Sequence, residues 1–523
     1  MKNESPLDFT IAQNRAEFQQ AINETNTRIE QNFYSAAPII GGKTAKTSHV
    51  EVSVDPSNPD EQIGEVSFAN REQCEQAVSL LSENAESWGE TPAHERAEIL
   101  RKIAQGMRDR RNELSALIIR EAGKPWKEAD ADVIEAIDFC DYYAEEMERL
   151  APKRQLMDVM GEGNYYFYEP RGVGLVIAPW NFPLAIPCGM TVASLVTGNT
   201  TILKPAEQTS IIAAVFAEIV LQAGVPASAF AFLPGDGEDI GAYLVNHKDI
   251  DVICFTGSKS VGLGIIRSAA EVKPGQKNVK KVIAEMGGKN AIIIDEDADL
   301  DEAVKGVLYS AFGHAGQKCS ACSRVIVVGD AYEPFVSRIC EATKDITIGS
   351  PQNSDTLINP LIDHTSQKRV LSLIDEYSKV HNLAFRGTTP HKGYFVPPCI
   401  FTDVDTSSAL WNEEIFAPVL ACCKVASFED AIEVALNSQY ALTGGVFSRS
   451  PKNIELAWKK YRVGNLYINR TITGAIVCRQ PFGGSRMSGV GSKAGGPDYL
   501  IQFLEPRTVT ENTMRRGFTP ELI

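Results

Sequence analysis

Apolar positions recur at helical spacing through the first third of the chain and in strand-length runs through its middle. Phe18, Ile22 and Ile29 lie at roughly helical intervals, so the first forty residues predict a packed lead-in of helix and loop. From His94 to Glu121 the positions Ala97, Leu100, Ala104, Met107, Leu114, Leu117 and Ile118 keep near-helical spacing, and Gly123-Lys124-Pro125 predicts the stop. A following helix carries Val133, Ile137, Cys140, Ala144 and Met147 on one face and acids on the other. From Val173 the texture changes. Val173–Ala178, Thr200–Lys204, Ala229–Leu233 and Asp251–Phe255 read as buried strands, with a helix over Ser210–Ala223 between the second and third. This alternation predicts a parallel, doubly wound α/β sheet. Further runs at Ala291–Ile294 and Arg324–Val328 open a second α/β unit that extends to about Asn469. Asn164–Tyr168, with Tyr165, Phe167 and Tyr168, fits neither unit and reads as an exposed strand available to another subunit. The tail after Tyr499 also stands apart.

The length of 523 residues suggests two or three domains, and 44% hydrophobic with 23% charged residues is the balance of a globular protein with large cores. The net charge of −16 (51 basic against 67 acidic residues) argues against general binding of nucleic acid. Eleven cysteines without a paired framework suggest reduced thiols and a cytoplasmic location. The most apolar stretch, Val173 to Gly198, is broken by Pro179, Pro183 and Pro187, which suits a buried strand and turn rather than membrane insertion.

Cys319 lies in Gly316-Gln317-Lys318-Cys319-Ser320, where small neighbours permit close approach of a substrate. As a nucleophile it would need a lowered pKa, from a helix N-terminus or a cation such as Lys318. Cys322 completes a C-x-x-C, but no second pair closes a metal site, so no metal is expected. Glu285 stands before Gly287-Gly288, where a partly desolvated carboxylate could activate water. Asn181, between Trp180 and Phe182, is either turn chemistry or a fixed donor to an oxyanion. Gly257-Ser258 ends a strand and opens a helix that could take a pyrophosphate. Lys204 and Glu207 could reach ribose hydroxyls or form a capped, solvated turn.

Seven segments occur in the order of a known family: Pro179–Phe182, Lys204–Glu207, Phe255–Ser258, Glu285–Lys289, Gly316–Cys319, Glu413–Pro418 and Pro481–Gly484. On these the chain resembles the aldehyde dehydrogenase superfamily over nearly its whole length. Gly316–Arg324, Thr473-Gly474-Ala475 and the tail Thr508–Phe518 resemble its L-glutamate γ-semialdehyde (1-pyrroline-5-carboxylate) dehydrogenase branch.

The resemblance implies an α/β fold with a Rossmann-type NAD domain (1–155 and 171–286), an α/β catalytic domain (287–490) and a small oligomerisation flap with tail (156–170 and 491–523). It implies Cys319 as nucleophile, Glu285 as general base and Asn181 as oxyanion donor. NAD would be lined by Ile177, Pro179, Trp180, Lys204, Glu207, Gly237, Gly241, Thr256, Gly257, Ser258, Val261, Glu414 and Phe416. Ser320, Gly474 and Ala475 would anchor the substrate carboxylate, with Phe182 and Phe482 along its chain. Lys318 and Glu135 would also belong to the substrate site, with Glu135 contacting Lys318, the lysine beside the nucleophile. The implied partners are the semialdehyde, further copies of the chain and a proline dehydrogenase. Cys478 departs from the pattern, which has a glycine there. A rival reading, a succinic semialdehyde dehydrogenase, would use a basic anchor such as Arg479, and a remoter one is a catalytically silent relative.

Overall fold

The computed structural model describes residues 1–45 and 47–514, so Arg515–Phe518 of the tail motif lies outside the described residues. Five parallel strands form the middle of an eight-stranded sheet, in the order Lys281–Glu285, Val252–Thr256, Val173–Ile177, Thr200–Lys204, Phe230–Phe232. Their side chains alternate between two cores. Val173, Leu175, Ile202, Ile253 and Phe255 face one, with Val78 and Leu81 of the helix Arg71–Glu90. Val176, Leu203, Val252 and Cys254 face the other, with Val192 of the helix Ala185–Val196 and Val133 and Ile137 of the helix Trp126–Leu150. Period-two alternation with both faces covered is what the runs of Val, Ile and Leu encode.

The chain steps from the central strand Val173–Ile177 first to one side and then to the other, so the order reverses between Ile177 and Thr256. In such sheets the crevice at the C-terminal strand ends is where a ligand seats.

A second, seven-stranded sheet runs Asn382–Arg386, Cys399–Thr402, Val419–Val425, Cys322–Val328, Asn290–Ile294, Thr443–Phe447, Asn465–Ile468. It is parallel except for the antiparallel edge strand Asn382–Arg386. After it, Gly489–Val490 returns to the edge of the first sheet and pairs with Ala284 and Glu285.

Two local expectations change. The apolar stripe from His94 to Glu121 is two helices, Ala93–Asp109 and Arg111–Ala122, broken at Arg110 (φ −113°, ψ 15°). Around the break Arg108 takes Glu4 and Asp141, Arg110 takes Glu113, and Arg111 takes Asp130. The aromatic strand, Glu162–Pro170, is paired within its own chain: the strand Leu504–Asn512 covers one edge over nine residue pairs and Arg154–Gln155 covers part of the other. Exposed Leu156, Met157 and Met160 crown this flap. Among the described residues no helix is long and apolar enough to cross a membrane.

Candidate active site

Cys319 stands three residues before the strand Cys322–Val328, on a turn with three consecutive left-handed residues: His314 (φ 53°), Ala315 (φ 52°) and Gly316 (φ 68°). Only the last is a glycine, and there a Cβ would lie 2.5 Å from the Ala417 carbonyl oxygen. The two others cost of order 1–3 kcal/mol each, so the turn must be held from outside. Asn290 Nδ2 donates to the carbonyl oxygens of Cys319 (2.7 Å) and Ala321 (2.9 Å). Gln317 Oε1 accepts from the Ile362 N–H at 3.0 Å, and Asn181 Nδ2 donates to the Gln317 carbonyl at 2.9 Å.

Cys319 opens into a cavity shared with Glu285, Glu135, Thr256, Ser320, Gly474, Ala475, Phe182 and Phe482. Eight of the anticipated residues therefore meet Cys319 at one place. Gly474 has φ +74°, and neither its N–H nor that of Ala475 has a hydrogen-bond partner among the described residues. Two unused donors beside a serine can receive a carboxylate. Arg479 is exposed and does not line this cavity. Cys478 takes a left-handed backbone (φ 67°) that glycine adopts without strain, and its side chain is exposed while Ile476, Val477 and Gln480 face the cavity.

Burial, and then the charges of Glu285 and Glu414, push the Cys319 pKa up, so the lowered value expected from a neighbouring cation is corrected. The anticipated cation, Lys318, turns away and does not line the substrate cavity as expected: its Nζ donates to Glu128 at 2.6 Å and lies over the Tyr309 ring. Glu128, not Glu135, is the partner of Lys318. Burial works against the Glu128 carboxylate, but the Lys318 and Lys124 ammonium groups outweigh it and hold its pKa at about 2. Glu135 faces the cavity instead, where burial and then Asp132 push it up to about 8. Glu285 ends its strand beside Gly489 and is pushed up to about 7 by burial. A carboxylate poised near neutrality suits a general base.

Asn181 is buried but does not itself line the cavity, and one of its amide hydrogens is committed to Gln317. The other has no partner among the described residues.

The crevice at the strand ends gathers the remaining residues. Ile177 is in register with Lys204 and Phe255, and Pro179 and Trp180 follow it. Lys204 Nζ donates to Glu207 Oε1 at 2.9 Å, the Gly237 N–H reaches the same oxygen at 2.7 Å, and Gly241 packs on the Lys204 stem. Gly257 is followed by Ser258, which caps the helix Lys259–Ala270, and exposed Val261 lies in its first turn. The orphan N–H groups of such a turn suit a pyrophosphate. Glu414 Oε1 accepts from the Gly288 N–H at 2.9 Å, and Trp180 meets Phe416 edge-on at 5.7 Å. A Cβ on Gly287 would overlap the Glu414 carboxylate. Gly287→Ala is therefore expected to weaken NAD binding at least about tenfold, or roughly 1.4 kcal/mol, in a fluorescence titration.

A thiol and a base in one cavity, against a dinucleotide-type crevice between two α/β sheets, define an aldehyde-oxidising enzyme. The chain belongs to the aldehyde dehydrogenase family, whose model, described as "Aldehyde dehydrogenase family", matches residues 43–509. It is 47% identical over 511 residues to a 1-pyrroline-5-carboxylate dehydrogenase of Geobacillus sp. (strain WCH70), covering 98% of this chain and 99% of that one. It is similar to the solved 1-pyrroline-5-carboxylate dehydrogenase from Thermus with bound NAD (41% identity, TM-score 0.95), covering 98% of this chain and 99% of that one. It is also similar to proline utilization A from Bdellovibrio bacteriovorus (47% identity, TM-score 0.97), covering 99% of this chain and 54% of that chain.

Proposed function

We propose that the chain oxidises L-glutamate γ-semialdehyde, the open form of 1-pyrroline-5-carboxylate, to L-glutamate with NAD in proline catabolism. The observation that carries this reading is the shared cavity, which brings Cys319 and Glu285 together with Ser320 and with the Gly474 and Ala475 N–H groups, neither of which has a partner among the described residues.

Cys319 gives up its thiol proton to solvent through cavity water and attacks the aldehyde carbon as the thiolate, and the second Asn181 amide hydrogen with the Cys319 backbone N–H holds the oxygen that becomes negative. The residues placed at the crevice fit NAD, which when bound supplies the acceptor for the hydride lost from carbon. Glu207 favours NAD over its 2′-phosphorylated form, since its carboxylate would repel that phosphate. Glu285 takes a proton from the water that cleaves the resulting Cys319 thioester. Phe182 and Phe482 exclude solvent along the substrate chain.

The proposal extends to organisation. Residues 1–155 with 171–286 form the NAD unit, 287–490 the catalytic unit, and 156–170 with 491–523 a flap through which copies associate. A cytoplasmic location and a proline dehydrogenase as supplier of the substrate complete it.

The test is the rate of NADH formation from 1-pyrroline-5-carboxylate against succinic semialdehyde and propionaldehyde on one preparation. The expected kcat/KM is at least about tenfold higher for the first, because a site with fixed donors rejects analogues that leave them unpaired. Equal or reversed preference would overturn the substrate while leaving the class of reaction.

A further inference from the structure

Gly123-Lys124-Pro125 marks the end of one helix and the start of the next, yet its lysine is fully buried. Gly123 is left-handed (φ 67°) and Pro125 precedes the helix Trp126–Leu150, so the chain turns sharply and drives the Lys124 side chain inward. Its Nζ donates to Asp132 Oδ2 at 2.9 Å and to the backbone carbonyl of Asn181 at 3.0 Å, and lies 3.8 Å from the centre of the Phe182 ring. Asp132 is also fully buried, and its second oxygen accepts from the Ala185 N–H at 2.7 Å. One ion pair thus grips the loop from Asn181 to Ala185 at both ends.

A buried ion pair is a weak source of stability, because desolvation consumes most of the attraction. What this pair does supply is position. Asn181 sits in a Pro- and aromatic-rich turn with no regular element of its own to hold it. Glu128, one helical turn before Asp132, holds Lys318, the residue before the nucleophile, at 2.6 Å. Helix spacing puts the two acids on one stripe. A single helix therefore fixes the donor loop through Asp132 and Lys124, and the thiol loop through Glu128.

We propose that Lys124 and Asp132 are positioning residues for the reaction: the pair sets the distance of the Asn181 amide from the carbonyl oxygen attacked by Cys319. This rests on the reading of Asn181 as the oxyanion donor. A misplacement of about 1 Å in such a group can cost about a hundredfold in rate, so substitution here acts on kcat although neither residue touches substrate.

The test combines Lys124→Met with Asp132→Asn, which removes both charges at similar volume, and adds Asp132→Asn alone, which keeps an acceptor for the Ala185 N–H. Each is made with Asn181 intact and with Asn181→Ala, and the single-turnover rate of NADH formation is read beside KM and NADH binding. The expected result in the intact background is a roughly ten- to hundredfold slower hydride step, with KM and NADH affinity within about threefold of the parent. In the Asn181→Ala background the same changes should cost less than about threefold, because the group they position is gone. Equal losses in both backgrounds, or no loss in the intact one, overturn the positioning role. If the paired variant does not fold, Lys124→Met alone decides by the same comparison, because Asp132 can then stay protonated and uncharged while still accepting from the Ala185 N–H. A negligible effect of Asn181→Ala itself would instead overturn the oxyanion reading.

Discussion

Cys319→Ala is expected to lower kcat by about 10⁴-fold or more, because no other thiol in the cavity can take its place. Phe182, Ser320, Gly474 and Ala475 would still line the cavity, and the crevice residues Lys204, Glu207 and Glu414 lie outside the substitution. Fluorescence titration should therefore find NADH binding retained while NADH production from the semialdehyde is lost. The remaining cysteines do not substitute: Cys322 turns its sulfur to the Arg324 carbonyl oxygen at 3.3 Å, and exposed Cys478 lies outside the cavity. Retention of more than a few per cent of turnover would sink the assignment of the nucleophile.

Glu285→Gln separates the two halves of the reaction. Thioester formation needs the thiol, the oxyanion donors and the cofactor, whereas release of the acid needs water to lose a proton. The variant should show one burst of NADH per active site and then a steady rate lowered about 10²- to 10⁴-fold. The parent enzyme supplies the pH control. Burial raises the Glu285 pKa to about 7, so below that pH the carboxyl is protonated and cannot accept a proton. The steady-state kcat should fall about tenfold per unit below about 7, and this acidic limb should vanish in the glutamine variant. A parent profile flat down to pH 5 would remove Glu285 from the deacylation step.

Much of this was legible in the residues, for reasons that differ by element. The buried strands of the first sheet are visible because both faces are covered, which demands unbroken apolar runs such as Val173–Ile177. The cavity set around Cys319 is legible only through the family resemblance, because Phe182, Glu135, Gly474, Ala475 and Phe482 lie far from it in the chain and carry no local signal of a shared cavity. The break at Arg110 is silent, since the apolar stripe continues in phase across it and neither glycine nor proline marks it. The partners of buried charges are silent too. Lys318 and Glu128 lie 190 residues apart, and nothing in the local sequence of either distinguishes a buried pair from a solvated face. Lys124 shows the same limit, because a glycine–lysine–proline stop signal announces the turn and not the burial. The direction of the Lys318 ammonium is silent for the same reason, because its place next to Cys319 in the sequence does not show that it points to Glu128.

The flap has a consequence in time. Arg507 and Glu169, paired across it, are 338 residues apart in the chain. At translation speeds of about 5–20 residues per second, Glu162–Pro170 leaves the ribosome tens of seconds before Leu504–Asn512 exists to cover it. Throughout that interval the nascent chain displays an open, tyrosine-rich edge able to template on any neighbouring polypeptide. Leu504–Asn512, made so much later than the edge it covers, thus acts as a latch on the flap.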